Sequence, residues 1–291
     1  MNKNVFYPLE NNYQKIKKIF GEDFLIKSIE DKIELNDFLE CNEVLSQLVY
    51  GKEIASLILD RNIDKIKKMY EEVEYKNLKY NFEKEFNLDE VGAILIRPET
   101  FGIIELYKKF LEEKGLSIII EKMIKPTFEQ YWILYNEGIL KGLESNDPFI
   151  DFATRTFNYI NNNCYLIVFK KQNKLNTNLP TSDYIMQFKG KHGSYCFDTL
   201  RGDIAFNSLS PYVVDGKTLI KSANVPLDPI GAYRLLVRDI IKSDGCHNRF
   251  DFPILFYAGQ SVHIPDRTEI NKNLNALCDE NDIKTLIKKI K

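Results

Sequence analysis

The sequence predicts an α/β protein, with a helical N-terminal module over residues 1–90 and a single sheet covered by helices over residues 91–291. Three observations predict it. The first ninety residues repeat apolar positions at three- and four-residue spacing. Near Val91 the texture changes to short β-branched runs bounded by turn residues. From there the runs alternate with amphipathic stretches in the order β-α-β-α-α-β, which short right-handed connections fold into one sheet.

Taken in order, NNYQKIKKIF, LNDFLECNEVLSQLVYGKEIASLIL and NIDKIKKMYEEVEY are the helices of the N-terminal module. Asn62 or Asp64 starts the third, because a short polar side chain satisfies free N–H groups at a helix N-terminus. No catalytic cluster falls in this module, which reads as a packing or oligomerisation element. VGAILIRPET is an apolar strand ending in Arg97-Pro98. FGIIELYKKFLEEKG is a helix whose inner face is Phe101, Ile104, Tyr107 or Lys108, and Leu111, closed at Lys114-Gly115. LSIIIEKMI is the next strand. Thr127 and Gln130 form a capping box for a helix through Tyr135. DPFIDFATRTFNYI is helical and CYLIVFKK is a buried strand. Lys171 to Ser182 reads as a polar loop. Asp228-Pro229 opens a further helix, and DFPILFYAGQSVH is a last strand that delivers His263.

Composition excludes several classes. Hydrophobic residues are 44% and charged residues 28% of the 291, so a packed core is expected rather than disorder. With 40 basic and 42 acidic side chains, the chain lacks the surplus of a general nucleic-acid or anionic-membrane binder, while a local basic pocket stays open. No apolar run approaches the roughly 18 residues of a membrane span, and the N-terminus lacks the pattern of a signal peptide. Five scattered cysteines without a C-x-x-C pair read as reduced thiols of a cytoplasmic protein. Cys246-His247 has no partner ligands at metal-binding spacing, so no protein metal site is expected.

The residues that carry chemistry lie in five blocks. A strand ends Ile96-Arg97-Pro98-Glu99 and is followed, after a helix, by Glu113-Lys114-Gly115-Leu116. Thr127-Phe128-Glu129-Gln130 leads to Tyr135, and Pro148-Phe149-Ile150 comes next. Asp198-Thr199-Leu200-Arg201-Gly202-Asp203 and Val262-His263-Ile264-Pro265-Asp266-Arg267-Thr268-Glu269 complete the set. In this order, from about Ala93 to Leu274, they resemble the nucleoside diphosphate kinase family, with an insertion at about 204–258. The resemblance implies a ferredoxin-like antiparallel sheet with helices. It also implies ping-pong transfer of the γ-phosphate of a nucleoside triphosphate to a diphosphate through a phosphohistidine at His263. Arg201 and Arg97 would face the phosphates, with Arg97 where the family has lysine, and Tyr135 would stand near the histidine. Phe149 or Ile150 would take the base, with Gln260 and Tyr184 as further nucleotide-site positions. Mg²⁺ would arrive on the nucleotide, and assembly as a homo-oligomer follows the family's habit.

Departures from the family pattern are equally legible. Its second phosphate-binding arginine falls on Tyr184 and its threonine on Gly190, with Lys189 or Lys191 as compensating cations. Its asparagine becomes Gln260, and the glutamate that orients the imidazole falls on Leu274. These losses open an alternative, a nucleotide-binding sensor or regulatory protein on the same fold. A third reading makes the N-terminal module and the insertion an interaction device. Plain structural roles also exist for each residue: His263 as a polar strand end, Arg97 as a surface cation, Tyr135 and Phe149 as core aromatics, His192 as an exposed loop residue, and Asp203 as a turn cap.

Overall fold

The protein is described by a computed structural model covering residues 62–97, 100, 103–144, 163–190, 196–206 and 261–290. The expected helices before residue 62, the 147–160 helix, the Asp228 helix and nearly all of the 204–258 insertion lie outside the described residues. So do Phe149, Ile150, Lys191, His192, Cys246, His247 and Gln260.

Four strands form one antiparallel sheet in the order β2-β3-β1-β4: β1 Val91–Ile96, β2 Leu116–Ile124, β3 Cys164–Lys171 and β4 Val262–His263. All three pairings are antiparallel. The order follows from the apolar content. β1 is buried at every position and takes one of the two central places, flanked by β3 and β4. β2 carries Glu121, Lys122 and the exposed Met123, and stands at an edge.

Alternation along the strands sends side chains to both faces, and both faces are covered. On one, Ile94, Ile96, Ile167 and Phe169 pack with Tyr107, Phe110 and Leu111 of helix α2, defined below, and with Ile185 and Leu200. On the other, Val91, Ala93, Leu95, Leu166 and Val168 meet Phe82, Phe86, Leu88, Tyr131, Ile270, Leu274 and Leu286.

The helices are α1 Ile63–Asn77, α2 Ile104–Glu113, α3 Phe128–Glu144, α4 Thr181–Met186, α5 Ile270–Leu277 and α6 Glu280–Ile290. Asn62 caps α1 by accepting from Lys65 N–H at 3.4 Å. The capping box at α3 forms in both directions: Thr127 N–H donates to Gln130 Oε1 at 2.9 Å, and Gln130 N–H to Thr127 Oγ1 at 3.2 Å. The inner face of α2 is Tyr107, Phe110 and Leu111. Phe110 was not among the expected positions. It is brought in by a T-shaped contact with Phe188, whose centroid is 6.2 Å away. The expected loop 171–182 is shorter than predicted, since Lys171 completes β3 and Thr181 and Ser182 open α4. Thr181 is drawn into order by its hydroxyl, which donates to Asp89 O at 2.9 Å.

The expected division near residue 90 marks a change of texture within a shared core. Phe82 is fully buried against the sheet, and Tyr70 of α1 lies 5.9 Å, ring centroid to ring centroid, from Trp132 of α3. Residues 62–90 are therefore part of what holds the sheet's second face. Truncating Phe82 to Ala is expected to cost about 3–5 kcal/mol, read as a lowered urea midpoint with an unchanged slope.

Candidate functional site

β4 is two residues long, yet it carries the histidine. His263 pairs with Leu95 and Val262 with Ile96. A buried polar chain fixes this short pairing. Ser261 O accepts from Arg97 N–H at 2.9 Å and from Thr100 Oγ1 at 3.1 Å, and Tyr107 Oη donates to Thr100 Oγ1 at 3.1 Å. The end of β1 and the start of β4 are thereby locked together, and Arg97 and His263 emerge at the same end of the sheet.

The segment after His263 is tied down as firmly. Asp266 Oδ1 accepts from Thr268 N–H, Thr268 Oγ1 and Glu269 N–H at 2.8, 2.6 and 3.1 Å, a turn that launches α5. Arg267 N–H donates to Asp183 Oδ1 at 3.0 Å, and its guanidinium pairs with Asp89 and, at 3.6 Å, with Glu83.

α5 then presents Asn273, whose Oδ1 lies 2.8 Å from His263 Nε2. The orientation of the amide is set by its other end, because Nδ2 donates to Glu269 O at 3.0 Å. Oδ1 can only accept, so Nε2 carries the imidazole proton and Nδ1 holds the lone pair. Leu274, the position on which the resemblance places the family's orienting glutamate, is buried in the core. The imidazole contact is made by the preceding residue. Asn273 was missed in the sequence, although an amide among the buried positions of Ile270–Leu277 is the kind of signal that marks a polar contact inside a core.

Three cations surround this ring. Arg97 is buried, with its guanidinium carbon 5.8 Å from the centroid of the Tyr135 ring. Tyr135 meets His263 edge-on at 5.0 Å between centroids. Arg201 sits on a wide helical turn, Leu200–Phe206, and its Nη1 donates to Gly190 O at 3.1 Å. Lys189 Nζ donates to Ile264 O at 3.3 Å, one residue beyond the histidine. Gly190, at φ 84°, permits this arrangement. A Cβ there would stand 2.7 Å from Thr199 Oγ1 and 3.1 Å from Arg201 Cβ, so no other residue allows the two segments to approach so closely. Asp203 is a turn cap, accepting from Asp198 N–H at 2.6 Å.

Burial first, then the Lys189 ammonium, push the His263 pKa down to about 3, with Arg97 and Arg201 adding to the effect. The hydrogen bond to Asn273 opposes them. The ring is therefore neutral throughout the physiological range. Lys189 is lowered to about 8 by burial and by Arg201, against the pull of Glu269 and Asp266.

Tyr135 thus meets both His263 and Arg97, and Arg201 acts on the imidazole through its charge. Tyr184 is engaged elsewhere: its hydroxyl donates to Lys114 O at 3.0 Å and its ring packs against Phe188. Among the described residues no cluster of three His, Cys, Asp or Glu side chains is arranged to hold a metal ion, and no helix is long and apolar enough to cross a membrane. No protein-family model, curated protein or solved structure matches the chain.

The imidazole links stability to pH. Below its unfolded value near 6.5 the free ring takes a proton that the folded ring refuses until about pH 3. The unfolded state then binds more protons, so stability falls as pH falls, by up to about 1.4 kcal/mol per pH unit from this group. His263→Gln should remove that component. The stability difference between wild type and variant, measured by urea unfolding, is expected to be flat from pH 7 to 8 and to shrink towards pH 4.

Proposed function

We propose that the protein is a phosphotransferase of the nucleoside diphosphate kinase type, moving the γ-phosphate of a nucleoside triphosphate to a nucleoside diphosphate through His263. The all-antiparallel order β2-β3-β1-β4 with helices on its faces supports a ferredoxin-like reading of the fold. The observation that carries the activity is a neutral imidazole with a fixed tautomer, set among Arg97, Arg201 and Lys189.

In the first half-reaction the lone pair of His263 Nδ1 attacks the γ-phosphorus. An N–P bond forms, the bond from phosphorus to the β–γ bridging oxygen breaks, and its electron pair leaves with the diphosphate. No proton has to leave Nδ1, and the proton on Nε2 stays hydrogen-bonded to Asn273. In the second half an acceptor diphosphate oxygen attacks the same phosphorus and the pair returns to Nδ1. Charge spreads over the transferred group in both halves, so fixed cations account for most of the rate. Tyr135 walls the ring. The resemblance adds Phe149, Ile150 and Gln260 as nucleotide contacts, together with a cytoplasmic setting and a homo-oligomer. Mg²⁺ is part of the nucleotide substrate, bound by its phosphates.

Asn273 also favours a second reading. A neutral amide cannot match a carboxylate in stabilising the positive charge of a phosphorylated imidazole. A nucleotide-binding sensor or regulatory protein would tolerate that loss.

Incubation with γ-labelled ATP is expected to give an acid-labile phosphoprotein, absent in His263→Ala and formed roughly 10–100-fold more slowly in Asn273→Ala. Nucleotide-dependent thermal stabilisation of an unlabelled wild type would favour the sensor and reject the transferase.

A further inference from the structure

We propose that Lys189 is a catalytic residue of this site, its ammonium contacting the phosphoryl group as it passes to and from His263. The proposal rests on the phosphohistidine reading above and names a third cation, the chain neighbour of Gly190, on which the resemblance places the family's threonine.

The argument begins with position. Residues 188–190 run beside Leu200 and Arg201: Leu200 N–H donates to Phe188 O at 2.8 Å, and Arg201 N–H to Lys189 O at 3.2 Å. The Lys189 side chain reaches from this pairing to Ile264 O at 3.3 Å. It therefore spans the gap between the arginine-bearing turn and the strand that delivers the histidine. Of the three cations it exerts the largest effect on the imidazole.

Its surroundings argue that the charge is held for a ligand. Lys189 is partly buried and its hydrogen bond goes to a neutral backbone carbonyl. Among the described residues it forms no ion pair with a carboxylate. Asp266 and Glu269 influence it from beyond ion-pair distance, while Arg201 and Arg97 oppose its charge. Asp266 is occupied with the backbone and hydroxyl groups of the Thr268–Glu269 turn. Burial and the charges of Arg201 and Arg97 disfavour the Lys189 ammonium, a cost that an anionic ligand at its tip would relieve. A triphosphate chain has the charge and the reach to do so. An arginine at this place would be a fixed planar fork, whereas the flexible stem of lysine can follow a phosphoryl group as it moves between oxygen and nitrogen.

The transfer step stays balanced. Lys189 keeps its proton, donates it only in hydrogen bonds to the non-bridging oxygens, and neither gains nor loses electrons. Because burial and the neighbouring guanidinium groups bring its deprotonation to about 8, the reaction acquires a basic limb. The charged groups facing it are Arg97 from the end of β1, Asp266 and Glu269 from the turn after β4, and Arg201 from the wide turn, with the neutral His263 ring on β4.

The test uses the full chain and two readouts. Single-turnover labelling of His263 with γ-labelled Mg·ATP is followed from pH 6.5 to 9.5 for wild type, Lys189→Met and Lys189→Arg. Thermal stabilisation by inorganic triphosphate is measured on the same proteins. The expected result is a roughly 100-fold slower labelling in Lys189→Met, a wild-type rate that declines above about pH 8, and loss of that decline in Lys189→Arg. Thermal unfolding without ligand should be no lower in Lys189→Met than in wild type, which separates the effect from misfolding. Wild-type labelling rates in Lys189→Met, or a basic limb that persists in Lys189→Arg, would overturn the proposal. Should no protein become labelled, the phosphohistidine reading fails and triphosphate decides for Lys189. Stabilisation lost in Lys189→Met keeps its anion contact, and equal stabilisation of the two proteins removes it.

Discussion

A buried imidazole holds one proton, and an acceptor must be in place to fix which nitrogen bears it. In this protein the acceptor is the Asn273 side chain, itself oriented by its bond to the Glu269 carbonyl. The constraint propagates outward. With Nε2 committed as donor, Nδ1 is the only nitrogen left with a lone pair, and its direction is set by the pairing of His263 with Leu95. The cations matter because they help to keep this ring neutral: they lower its affinity for protons.

Such an arrangement needs a rigid support, and the support comes from widely separated parts of the chain. The Ser261 carbonyl gathers Arg97 and Thr100 onto the start of β4. Arg267 anchors the turn beyond the histidine to Glu83 and Asp89, in the segment just before the sheet, and to Asp183 at the start of α4. Residues 82–90 consequently serve two ends at once, filling the second face of the sheet through Phe82, Phe86 and Leu88 and holding the histidine loop through their carboxylates. On the other face, Lys114 is ion-paired with Asp198 at 2.5 Å and lies over the Phe110 and Phe188 rings, fixing the turn that precedes Arg201.

Much of the scaffold was legible because its signals are local. The Thr127–Gln130 box, the Asn62 cap, the helix end at Lys114-Gly115 and the β-branched runs at Val91, Leu116 and Cys164 depend on residues a few positions apart. Local rules misplaced what long-range contacts decide. Thr181 and Ser182 look like loop residues until Thr181 meets Asp89, and Phe110 looks peripheral until Phe188 reaches it.

The candidate site divides along the same line. The sequence grouped a histidine, two arginines and a tyrosine through the resemblance of the motifs around them, with Arg97 and His263 each beside an apolar run that reads as a strand. Only the tertiary structure decided that Asn273, one position before Leu274, meets the imidazole. A helix advances about 100° per residue, so neighbouring positions face different ways, and the packing of α5 turned Leu274 into the core and Asn273 to the imidazole. The place of Lys189 was likewise settled in three dimensions. A hydrogen bond that joins position 189 to position 264 has no local signature, and neither does the close approach of residue 190 to Thr199 and Arg201 that its glycine permits.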